Sequence, residues 1–140
     1  MQRYTTHNLK KEKAGSILVA SQTIPFMHNL TRFIVEAGFE ILHTPNAVHA
    51  IKILNMMPVK LVLIDYNIPK GENLQLLETI RENFGIGGMP PIIYMYDPNK
   101  NTVNVPELMK LGVKGILTLP LDFEEAKAKI TQVLTETHGI

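Results

Sequence analysis

An α/β fold is what the sequence predicts: a five-stranded parallel sheet with helices on both faces. Two observations carry it. Short apolar runs recur at Ser16–Ala20, Phe39–His43, Leu61–Asp65, Ile92–Tyr96 and Gly115–Leu119, and a stretch of helical period follows each of them. Several runs are apolar without a break, Leu61-Val62-Leu63-Ile64 most plainly, which suits strands covered on both faces. Five βα units in strict alternation place a crossover helix after every strand, and such crossovers build a parallel sheet between two helical layers. A chain of 140 residues has room for one such domain around one sizeable core.

The helices are read from their apolar stripes and their ends. Phe26, Leu30, Phe33, Ile34 and Ala37 fall at i, i+4, i+7, i+8 and i+11, a single helix face that Gly38 ends. Ala47, Ile51 and Leu54 form a second stripe, with Asn46 as N-cap and Pro58 closing the segment. Leu74, Leu77, Ile80 and Phe84 mark the third. The fourth is short: Asn104 caps it, Pro106 suits its first turn and Gly112 stops it. Asp122 and Glu125 open the fifth in capping-box spacing, ahead of Ala126, Ile130, Val133 and Leu134. Gly85–Pro91 reads as a loop within the domain, since no repeat or low-complexity tract divides the chain.

Composition excludes several classes of function. Hydrophobic residues make up 45% and charged residues 19%, a globular balance. A net charge of +1 gives no footing for a nucleic-acid partner. The absence of Cys excludes disulfides, thiolate metal sites and thiol nucleophiles. No apolar run approaches the ~18 residues of a membrane span, and the first residues lack an apolar signal core. A cytoplasmic domain without membrane contact is the expectation. Arg3, Lys10, Lys11 and Lys13 outnumber Glu12 within Met1–Ala14, so residues 1–14 are read as a basic, solvated lead-in to a domain over 15–140.

In an open parallel sheet, ligands bind beyond the carboxyl ends of the strands, near the switch in strand order. The residues that follow the runs are Ser21 and Gln22, Asp65, Tyr96 and Asp97, and Leu119. Ser21-Gln22-Thr23-Ile24-Pro25 contains no Gly, which argues against a phosphate-cradling loop for a nucleotide or flavin. His7, His28, His43, His49 and His138 show no metal-ligand spacing and read as structural or surface residues. The seven Met read as packing material. Asp-Pro-Asn at Asp97 reads as a turn in preference to a replacement carboxylate.

Ile17-Leu18-Val19, Leu61 through Pro69 with its Asp65-Tyr66-Asn67-Ile68-Pro69 ending, Pro91-Ile92-Ile93, and Gly112 through Leu119-Pro120 together resemble the receiver domain of two-component response regulators, in a degenerate form. The resemblance runs from about Gly15 to Thr137. It implies a flavodoxin-like, doubly wound (βα)5 fold with strand order 2-1-3-4-5. It also implies a phosphorelay role in which Asp65 is the phosphoacceptor and Asn67 lends a backbone carbonyl to Mg²⁺. The family's other working positions are altered here. Ser21 and Gln22 stand where an acidic pair belongs, Tyr96 where Ser or Thr does, Leu119 where Lys does, and Ile116 where an aromatic reporter often sits. Glu72 matches an acidic turn position, and Asn73 takes the place of a Gly, which a left-handed conformation tolerates.

Magnesium prefers several hard oxygen ligands, and each missing carboxylate forfeits on the order of several kcal/mol of attraction at an effective dielectric constant of about 20. A phosphorylated Asp65 carries about two negative charges with no Lys at position 119 to balance them. The expectation is a protein-interaction module without enzymatic activity, beyond at most residual autophosphorylation at Asp65, and without a cofactor. Metal is not expected, with Asp65 and Asn67 the weak candidates. The alternative is a phosphorylation-competent receiver that uses Mg²⁺ and takes phosphate on Asp65 from a histidine kinase. A third reading, a small ligand beside the missing acidic pair, requires a cavity of useful size. Tyr96 is read either as a plug whose hydroxyl meets Asp65 or as an outward-packed ring. By resemblance, a partner (output domain, kinase or other signalling protein) or a second copy of the chain docks on Pro106–Thr137, with the first helix, Pro25–Ala37, a second such surface.

Overall fold

The computed structural model describes residues 14–22, 25–68 and 72–139; residues 1–13 of the basic lead-in, with His7, and Thr23, Ile24 and Pro69 lie outside them. Strands β1 (Gly15–Ala20), β2 (Phe39–Thr44), β3 (Leu61–Asp65), β4 (Ile92–Tyr96) and β5 (Val113–Thr118) alternate with helices α1 (His28–Glu36), α2 (Ala47–Met56), α3 (Glu72–Gly88), α4 (Val105–Lys110) and α5 (Phe123–His138). Every strand pair is parallel and the order is β2-β1-β3-β4-β5. This is the doubly wound, flavodoxin-like arrangement.

Strand alternation divides the core into two layers. Ile17, Val19, Leu61, Leu63, Ile93, Met95 and Leu117 face α1 and α5, where they meet Leu30, Ile34, Ala126, Ile130, Val133 and Leu134. Leu18, Ala20, Val62, Ile64, Ile92 and Tyr94 face the other way, against Ala50 and Leu54 of α2, Leu76, Leu77 and Ile80 of α3, and Leu108 of α4. All five residues of β3 are buried, which is why its sequence shows no polar alternation. Each fully buried Leu or Ile contributes roughly 1.5–3 kcal/mol, so the central strands dominate the stability.

The local end signals act as read. Asn46 Oδ1 accepts from His49 N at 2.8 Å, Asn104 Oδ1 from Glu107 N at 3.1 Å, and Asp122 Oδ2 from Glu125 N at 2.9 Å. Helix α1 is shorter than its stripe, because Pro25–Met27 stay non-helical and Ala37 is an exposed cap. On α3 the buried face runs through Asn73, Leu76, Leu77 and Ile80, while Leu74 is exposed; the stripe drawn from apolar residues alone was rotated by one position at its start. Asn73 is not left-handed. It occupies the first turn of α3, so the expected Gly-like turn is absent.

The Gly85–Pro91 segment is partly helical. Gly85 breaks the helix with φ 72° and ψ 159°, and a further turn runs to Gly88. Nothing lies within 4 Å of a Cβ built at Gly85, so backbone conformation and not crowding selects glycine there. Strand β5 begins at Val113, two residues before its apolar run, through an irregularity opposite Ile92 and Ile93. The methionines do not all pack inside: Met95 is fully buried, whereas Met56, Met57 and Met109 are exposed.

Candidate functional site

Helix α1 leaves β1 on one face of the sheet and α3 leaves β3 on the other, so the chain diverges between two neighbouring strands and opens a crevice at their carboxyl ends. The register pairs Ala20 with Ile64, which brings Ser21 level with Asp65. Ser21 Oγ donates to Asp65 Oδ2 at 2.9 Å, across 44 residues of sequence. The backbone N–H of Asn67 donates to Asp65 Oδ1 at 2.9 Å. Each carboxylate oxygen thus has a donor, which is the condition for a charge to remain in a site only 5% exposed.

Ser21 is itself held firmly. Its N–H donates to the Thr44 carbonyl at 3.0 Å, and its own carbonyl bonds His43 Nε2 at 2.7 Å. Gln22 is exposed and its amide reaches toward the Pro45 carbonyl, at 3.4 Å, on the β2 side of the crevice. Tyr66 N–H donates to the Met95 carbonyl and Ile68 N–H to the Asp65 carbonyl, which turns the chain immediately after the strand. The side chain of Asn73 donates to the Tyr66 carbonyl at 2.9 Å and ties this turn to α3.

Around this core the remaining expected residues are dispersed. Tyr96 is half-buried and packs with the α2–α4 layer; its hydroxyl makes no hydrogen bond with Asp65, so that part of the plug reading is corrected. Leu119 is half-buried against the opposite layer, and Ile116 lies with the α2–α4 layer. Asp97 forms a turn: its Oδ1 accepts from Asn99 N at 2.9 Å and its carbonyl from Lys100 and Asn101. Glu72 begins α3. His43 and His138 bond backbone carbonyls, consistent with structural roles.

A divalent cation does not fit this donor set well. Asp65 is the one carboxylate that the crevice residues Ser21, Gln22, Asp65 and Asn67 supply. Among the described residues no group of three or more His, Asp or Glu side chains is placed to hold a metal ion.

Tyr94 was missed by sequence reasoning. It lies on β4 at 1% exposure and lines a cleft of about 690 Å³ with Tyr66, Asn67, Asn73, Val103 and Leu108, among others. Burial pushes its hydroxyl far above the ordinary tyrosine range, and the charges of Tyr66 and Asp65 add to that shift. The available signal was a phenol inside an otherwise apolar strand, where its hydroxyl must be accommodated.

The fold and site define a class: a doubly wound parallel sheet with a buried aspartate at the end of its third strand. The response regulator receiver domain family matches residues 17–131. The chain belongs to that family. It is 24% identical over 108 residues to the transcriptional regulatory protein CrdR of Helicobacter pylori, covering 77% of this chain and 49% of that protein. The chain therefore spans about half the length of the curated relative it matches. The receiver domain of the TMAO respiratory system response regulator TorR superposes with a TM-score of 0.73 at 20% identity, covering 88% of this chain and 98% of that one. A two-component response regulator from Clostridium difficile gives 0.71 at 23% identity, covering 89% and 98%. These structural likenesses concern the fold. No described helix is long and apolar enough to cross a membrane.

Proposed function

We propose that this receiver domain acts in two-component signalling mainly as a protein-interaction module, with Mg²⁺-dependent phosphorylation of Asp65 impaired. One observation carries the reading: both oxygens of Asp65 are engaged, by Ser21 Oγ and by Asn67 N–H, where the family places an acidic pair beside it. A nucleophilic carboxylate must present a lone pair in line with phosphorus. Here the Ser21 hydroxyl takes up one lone-pair site of Oδ2 and supplies no charge for a metal, and no ammonium at position 119 balances the added charge. Partner docking through Pro106–Thr137 is supported by the exposed apolar side chains of Val105 and Met109 on and beside that surface. A cytoplasmic partner such as a kinase, an output domain or a second copy suits this face.

The experiment adds Mg²⁺ with beryllofluoride or acetyl phosphate and follows backbone amide shifts at Asp65, Tyr96 and Leu119. The expected result is no saturable change at millimolar Mg²⁺. Specific saturable shifts that vanish in Asp65→Ala overturn the proposal and establish the phosphorylation-competent alternative.

A further inference from the structure

The cleft lined by Tyr94 opens between the β3–α3 turn and the start of α4, on the α2–α4 side of the sheet. Two polar side chains buried beyond nine-tenths line it, and each has unused hydrogen-bonding capacity. Tyr94 is 1% exposed and its hydroxyl has no partner among the described residues. Asn73 is 5% exposed; its Nδ2 donates to the Tyr66 carbonyl, which orients the amide and leaves Oδ1 as an acceptor without a partner among the described residues. Buried polar groups in native structures are nearly always satisfied, so a donor and an acceptor lining one cleft call for a complementary pair.

Ile68, Val103 and Leu108 supply apolar wall, and the volume lies within the range of small-molecule sites. No Lys, Arg or His lines the cleft among the described residues, and Glu107 at its exposed rim is acidic. Among the described residues an anion therefore finds no counter-charge. Solvent screens Glu107, so a cation is not demanded either.

We propose that this cleft binds a small uncharged organic molecule that joins an apolar ring to an amide-like acceptor and donor, the acceptor meeting Tyr94 Oη and the donor meeting Asn73 Oδ1. Asp65 itself does not line the cleft, although Asn67, whose N–H bonds its carboxylate, does; the proposal does not rest on whether Asp65 is phosphorylated. The buried phenol keeps its proton throughout the physiological range and always presents a donor.

Titration of the full chain with benzamide, followed by backbone amide NMR, tests this, with benzoate as the anionic isostere. Benzamide is expected to produce saturable shifts at Asn73, Tyr94, Val103 and Leu108, and benzoate to bind at least tenfold more weakly. Tyr94→Phe is expected to weaken benzamide about tenfold, the loss of one hydrogen bond in a desolvated site. Thr102→Trp, at the exposed rim, is expected to abolish binding by filling the mouth, and it decides the matter if Tyr94→Phe does not fold. Absent saturable shifts, equal binding of benzoate, or unchanged affinity in the folded variants overturns the proposal.

Discussion

Replacing Ser21 by Ala removes one oxygen atom and, with it, the donor to Asp65 Oδ2. The backbone bonds of Ser21 to Thr44 and His43 are unaffected by the change. The lost bond is 2.9 Å long, buried, and made to a carboxylate that is 5% exposed. A hydrogen bond to a charged group contributes about 1.5–3 kcal/mol, and the oxygen left behind has little access to water. For a domain of this size, about 3–4 °C of melting temperature accompanies each kcal/mol, so Ser21→Ala should melt roughly 5–10 °C below the parent. Urea denaturation of the parent, Ser21→Ala, Asp65→Asn and the double variant closes a cycle that isolates the pair. A coupling of about 1–2 kcal/mol is expected, because Ser21 has less to stabilise once position 65 is neutral. A Ser21→Ala cost below about 0.5 kcal/mol, or a cycle with no coupling, refutes the claim that this bond secures the buried charge.

Three further outcomes follow from the same structure. The Tyr94 hydroxyl is raised in the folded state above its ordinary value of 10.0, so the folded chain holds that proton more tightly than the unfolded one. Its contribution is complete below about pH 10 and is lost as pH rises from there toward the folded value, by about 1.4 kcal/mol per pH unit. In denaturant melts from pH 9 to 11 the parent should therefore lose stability relative to Tyr94→Phe, by up to about 1.4 kcal/mol per pH unit above pH 10; a pH-independent difference contradicts the assignment. Gly112 has φ +100° and a Cβ there would lie 2.9 Å from Met89 Cε, so Gly112→Ala should cost about 1–2 kcal/mol. Gly87→Ala meets nothing within 4 Å and lies in a helical turn, so it should be neutral or stabilising by up to about 1 kcal/mol in the same urea assay.

Most of the architecture was legible because its signals are local. Asn46, Asn104 and Asp122 act within three residues of themselves, and a cap needs only its own helix. The α5 stripe of Ala126, Ile130, Val133 and Leu134 is buried as its spacing indicates. Helix α3 was less legible. Its face is set by how the turn after Asp65 delivers the chain, and Asn73 is drawn inward by the Tyr66 carbonyl, so Leu76 is buried and Leu74 is not. No count of apolar residues contains that rotation.

Residue order alone specifies the alternation of strands and helices, the two-sided burial of Leu61–Asp65, and the position of an aspartate at the end of β3. That Ser21 donates to this aspartate, and that Tyr94 and Asn73 line one cleft, emerges from the packed chain. The physical reason is range. Periodicity and capping act over a few residues, whereas the partner of a buried polar group is chosen by strand register and helix docking, which join positions 44 residues apart in the Ser21–Asp65 pair.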